Sequence, residues 1–157
     1  MKNSLQGQEH LRITGGIGMP DLLNAGIMVN MGQNQLGVNI GTIPSSNGYR
    51  MFSLSGNLYM HMAGTPKYTE IKPWYFMGGI NYLKDETNHF LDKYIYLNLR
   101  VGWEKHFSKR WGMCVDAGIL FQLSYTTVEK DPSYWSLFPD REYPILPSGS
   151  VKLFFKL

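Results

Sequence analysis

The chain has 157 residues, enough for one domain with a full core and too few for two of ordinary size. Its net charge of +3 is spread out, without the basic stripe that nucleic-acid binding needs, and the single cysteine, Cys114, excludes an internal disulfide. Only 17% of residues are charged against 14% aromatic, with 17 glycines, a balance poorer in charge than a water-facing domain normally carries.

No apolar run reaches the roughly 18 to 20 residues of a membrane helix, which excludes a helical membrane protein. The opening "MKNSLQGQEH" lacks the apolar stretch of a secretory signal, so the chain is expected to begin at a mature or recombinant start. No Cys/His cluster has zinc-ligand spacing, and neither a metal nor a cofactor is expected.

Period-two alternation broken by Gly, Pro, Asn and Asp clusters predicts an all-β chain, with a tail over 1–8 and one domain over 9–157. The first strand, "LRITGGIGM", puts Leu11, Ile13, Ile17 and Met19 on one face. After "PDLLN" the second carries Ala25, Ile27, Val29 and Met31, and after "GQNQ" the third carries Leu36, Val38 and Ile40. "PSSNGYR" leads to Phe52, Leu54, Leu58, Met60 and Met62; "GTPKYTEIKP" leads to Trp74, Phe76, Ile80 and Tyr82. "KDETNHFLDK" leads to Ile95, Leu97, Leu99, Val101 and Trp103, and "HFSKR" to a long strand from Trp111 to Tyr125. A loop over Thr127 to Pro147 then precedes the last strand, which alternates Val151, Leu153, Phe155 and Leu157 to the end of the chain.

The opposite face holds Gly, Asn, Ser and Tyr with a few charges: Arg12, Arg100, Glu104, Asp116, Lys152 and Lys156. A soluble lipocalin-like barrel would line a ligand cavity with the apolar face and put a Lys-, Glu- and Thr-rich face in water. Small polar residues with sparse charges instead suit the crowded inside of a membrane barrel, where the charges pair. The predicted fold is therefore an eight-stranded antiparallel up-and-down transmembrane β-barrel, apolar face to lipid, with the six charged side chains as a lumenal network.

With the N-terminus periplasmic, "GQNQ", "GTPKYTEIK" and "HFSKR" become the inner connections, the second of them long for such a turn. Trp74, Trp103 and Trp111 fall at the periplasmic strand ends and Tyr82, Tyr94 and Tyr125 at the external ends, as membrane-interface anchors would. In a closed barrel the last strand must pair with the first, because an open edge in hydrocarbon leaves backbone groups unsatisfied.

This pattern resembles the small outer-membrane β-barrels of Gram-negative bacteria, the group of outer-membrane proteins A and X, over residues 9–157. The resemblance implies an outer-membrane location, outer-membrane lipid around the wall and handling by the barrel-assembly machinery. It also implies that Val151, Leu153, Phe155 and Leu157 form the C-terminal assembly signal, with Leu157 where the family usually ends in Phe.

A catalytic role is not expected. Some small barrels of this kind modify lipid A, and the deacylase type uses a His-x-Ser pair; His106 and Ser108 have that spacing, but parity turns them to the lumen at the periplasmic end and Lys109 replaces the usual Asn. His89 with Asp85 or Asp92 is the one external candidate for acyl transfer, and His61 with Tyr59, Ser55 and Ser53 reads as a lumenal histidine. The external segment "DPSYWSLFPDREYPILP" offers Tyr134, Trp135, Leu137, Phe138 and Tyr143 as rigid anchors for a partner. The reading is a structural or interaction protein, an accessory subunit of a larger envelope complex, with a lipid-A-modifying enzyme and a soluble apolar-ligand binder as alternatives.

Overall fold

A computed structural model describes residues 11–43, 50–86, 90–129 and 144–157. They form β1 (Leu11–Met19), β2 (Leu22–Met31), β3 (Asn34–Ile43), β4 (Arg50–Ala63), β5 (Trp74–Glu86), β6 (Phe90–His106), β7 (Trp111–Glu129) and β8 (Ile145–Lys156). Each strand pairs antiparallel with its sequence neighbour, and β8 returns to β1, closing the barrel. The closing seam reaches the last residue: the Leu157 amide donates to the Leu11 carbonyl at 3.1 Å.

Side-chain polarity decides which way the wall faces. Ile17, Ile27 and Ile80 are 62%, 53% and 58% exposed on the outside, while Arg12, Gln35 and Asn98 on the inside are fully buried. A barrel that hides its arginines and shows its isoleucines is built for hydrocarbon outside.

The sequence boundaries hold except at the connections. The first connection is a tight turn of Pro20 and Asp21, because "LLN" already belongs to β2. β7 continues to Glu129 and β8 starts at Ile145, so both strands extend into the segment expected as loop. A membrane-crossing strand needs about 9 to 11 residues. The strands β1 to β3 have 9 or 10, whereas β6 and β7 have 17 and 19, so the wall rises well beyond the bilayer on that side.

The long connection between β4 and β5 is a strap across one mouth of the barrel, the one expected to face the periplasm. Gln33, in the β2–β3 turn, donates to the Glu70 carbonyl at 2.9 Å and accepts from the Lys72 amide at 3.1 Å. Lys72 Nζ donates to the Met62 carbonyl at 3.3 Å, and Lys156 Nζ, on β8, donates to Thr69 Oγ1 at 3.3 Å. Ile71 turns its side chain inward and is buried. The length that looked excessive for a turn is what lets it span from β4 to β8.

Candidate functional site

The polar chemistry of the described chain is concentrated in the lumen. Nearest the strap, Arg12 Nη1 donates to both carboxylate oxygens of Glu104 at 2.9 Å. His106 Nε2 bonds the same carboxylate, His61 Nε2 stands 3.9 Å from it, and the Cys114 thiol donates to it at 3.7 Å. The His61 Nδ1–H donates to the Lys72 carbonyl, tying this cluster to the strap. Phe154 lies against the Arg12 guanidinium, 4.6 Å from ring centroid to Cζ, and holds its plane.

Arg100 centres the next level. It meets Asp116 and Asp21 at 2.9 Å each, and donates to the Met19 carbonyl at 2.8 Å and to Asn98 Oδ1 at 3.0 Å. Asp116 also accepts from the Tyr75 and Ser150 hydroxyls at 3.0 and 2.8 Å. Asp21 accepts from Ser55 at 3.0 Å and Asn81 at 3.2 Å, and Lys152 Nζ lies 3.6 Å from it. The β1–β2 turn thus folds its carboxylate into the barrel. Gly41 makes room for it, since a Cβ there would collide with the Asp21 carbonyl oxygen, and Leu22 is held at φ 60°, a conformation costly for a branched side chain.

Above the turn the inner face becomes apolar. Met51, Leu83, Tyr94, Tyr96 and Leu120 pack together, with Leu22 and Leu146 against them. Beyond that layer, Asp85 and Asp92 are directly opposed across β5 and β6 and both buried. Ion pairs, then hydrocarbon, therefore fill the bore in succession.

The six charged residues expected in the lumen, Arg12, Arg100, Glu104, Asp116, Lys152 and Lys156, are all buried on the inner face. Two clusters form rather than one, because Arg12 pairs with Glu104 and Arg100 with Asp116, Lys152 joins the second through Asp21, and Lys156 reaches Thr69 of the strap. Asp21, His61 and His106 also belong to these clusters. Asp21 lies in "PDLLN", which the sequence marks only as the connection between the first two strands, and the available signal was an acidic residue between a strand and an immediate apolar restart.

Of the expected interface anchors, Trp74 and Trp111 are exposed on the outside, and Trp103 and Tyr82 are half-buried. Tyr94 corrects the expectation. It faces the lumen, buried and stacked between Tyr96 and Tyr125 at 5.7 and 5.0 Å, because its neighbour Ile95 takes the outward position; Tyr125, directly opposite, departs from the expectation too, since a bulge at Leu123 turns it to the face of Tyr94. In the C-terminal segment Val151, Leu153 and Leu157 point outward, and Phe155 packs on Trp111 with ring centroids 4.8 Å apart.

His106 and Ser108 do not meet: the histidine is engaged by Glu104, and Ser108 Oγ accepts from the Arg110 and Trp111 amides in the β6–β7 turn. Among the described residues no group of three His, Cys, Asp or Glu is placed to hold a metal ion. The candidate partner residues Tyr134, Trp135, Leu137, Phe138 and Tyr143, and also His89, lie outside the described residues.

No protein-family model matches the chain, and no curated protein matches its sequence. Among solved structures it is similar to CarO of Acinetobacter baumannii, with 14% identity, a TM-score of 0.53, and coverage of 96% of this chain and 98% of that one. It is equally similar to CarO2 of the same organism, at 13% identity and a TM-score of 0.54, covering 94% and 97%. At this identity the likeness is one of fold: an eight-stranded barrel of the outer-membrane type, which fits an outer-membrane location.

Proposed function

We propose that the protein is a non-catalytic outer-membrane barrel that does not conduct, and that it acts as a structural or interaction subunit of an envelope complex through its external rim. The observation that carries this reading is the filled bore: two ion-pair clusters, an apolar layer and a periplasmic strap stand in series where a pore would need water. Specific recognition is then left to the rims, since the wall faces lipid.

The raised side of the wall supports an external partner. Leu123 to Val128 are exposed on both faces of β7, above the level where β8 pairs with Phe121. A strand edge of this kind accepts a partner by adding backbone hydrogen bonds. Trp74, Trp103 and Trp111 at one end and Tyr82 at the other would seat the wall in the interfaces, and the C-terminal strand would be read by the barrel-assembly machinery during insertion.

The test combines two measurements. Purified protein in planar bilayers is expected to give no unitary conductance steps, and a photo-crosslinker at Val128 in cells is expected to capture a discrete protein that the same probe at Ile27 does not. Regular conductance steps, or an altered mass of lipid A in cells expressing the protein but not in cells lacking it, would replace the proposal with a channel or an enzyme.

A further inference from the structure

Glu104 uses only one nitrogen of Arg12. The other edge of the guanidinium, Nε and Nη2, has no hydrogen-bond partner among the described residues, although Arg12 is fully buried. That edge is a planar fork of two parallel N–H groups, the geometry that grips two oxygens of a single carboxylate or phosphate. Phe154 against the guanidinium face keeps the fork in a fixed plane.

The same end of the lumen holds further uncommitted groups. Gln35 on β3 is fully buried, and neither its amide nitrogen nor its oxygen has a partner. Tyr59 is directly opposite it on β4, 2% exposed, with its hydroxyl also without a partner. Lys152 Nζ, 3.6 Å from Asp21, makes no hydrogen bond. Buried donors left without acceptors cost about 1–3 kcal/mol each, and more when charged, so a folded chain keeps such a set only where something satisfies it.

We propose that the periplasmic half of the lumen is a binding site for a small oxyanion, of the carboxylate or phosphate class, held by the Arg12 fork with Gln35 and Tyr59 as neutral donors. Glu104 fixes the outer nitrogen of Arg12 and so orients the fork. The ligand must be small, because an eight-stranded barrel is only as wide inside as its own side chains. Entry is from the periplasm beneath the strap, whose contacts through Gln33, Lys72 and Lys156 are mostly exposed or half-exposed. The site is independent of the external rim, and its failure would leave the reading of the rim untouched.

The test uses the full chain folded in detergent with nitrogen-15 in its arginines, the Arg12 Nε–H signal assigned through bonds. Acetate and inorganic phosphate are titrated separately, with chloride at matched ionic strength as control. The expected result is a saturable movement of the Arg12 signal with one or both oxyanions, weakened at least tenfold by Gln35→Leu, a change that spares the Arg12–Glu104 pair. Should Gln35→Leu fail to fold, Tyr59→Phe serves the same purpose. Movement no greater than with chloride, or saturation unaffected by the variant that folds, would mean that water fills the fork and would overturn the site.

Discussion

The Asp21 carboxylate lies 2.9 Å from the Arg100 guanidinium, with both side chains buried inside the barrel, although Asp21 belongs to a tight turn and Arg100 to the middle of β6. The turn is therefore part of the lumenal packing. Asp21→Asn removes one of the two carboxylates facing Arg100 and the only one that pairs with Lys152 among the described contacts. Breaking a buried pair from one side costs about 3–5 kcal/mol. Denaturant unfolding of the detergent-folded protein is expected to show a loss of that order, and a loss under about 0.5 kcal/mol, the range of surface substitutions, would mean that the turn does not dock.

Arg12 and Glu104 should behave as a unit. Glu104→Gln leaves a buried guanidinium without its anion and is expected to cost about 3–5 kcal/mol, whereas Arg12→Met combined with Glu104→Leu removes both charges and is expected to recover most of it. A double-mutant cycle on unfolding free energies measures the coupling, and strictly additive losses would contradict the pairing.

Gly41 and Gly56 make a matched test of close packing. A Cβ at Gly41 runs into the backbone of the Asp21 turn, whereas one at Gly56 meets nothing within 4 Å. Gly41→Ala is expected to lower the temperature at which the folded band converts to the unfolded one on an SDS gel, while Gly56→Ala leaves it unchanged. Equal behaviour of the two would show that the turn does not pack on β3.

The outward face makes the opposite demand. Ile27→Lys puts a charge on an exposed position near the middle of β2, which costs about 2–4 kcal/mol at a bilayer midplane and almost nothing on a surface in water. Folding into lipid vesicles should therefore fail or weaken. Unchanged folding, with compact protein in buffer without detergent, would turn the barrel into a soluble ligand carrier.

Gln33 holds the strap through two hydrogen bonds of 2.9 and 3.1 Å. Gln33→Ala is expected to speed tryptic cleavage after Lys67 several-fold without altering the heat-modifiable band, since each bond is worth only about 0.5–1.5 kcal/mol. An unchanged cleavage rate would mean that the other strap contacts suffice.

What the sequence by itself determined was the wall. Alternation of period two assigns each strand residue to one of two faces, and Ile13, Val38 and Val151 against Arg12, Asn39 and Lys152 is a contrast that only a barrel with hydrocarbon outside accommodates. Tyr94, placed by its height at a strand end, turns inward because its neighbour Ile95 faces outward, and parity along β7 fails at Tyr125, where the bulge at Leu123 turns the ring to the face of Tyr94. Tertiary structure alone decided what fills the lumen. Which arginine meets which carboxylate depends on how far each strand is staggered against the next and on two connections, the Asp21 turn and the 64–73 strap, that fold back over the bore. Periodicity carries no information about contacts across the barrel, because residues facing each other there are brought together by closure and not by spacing along the chain.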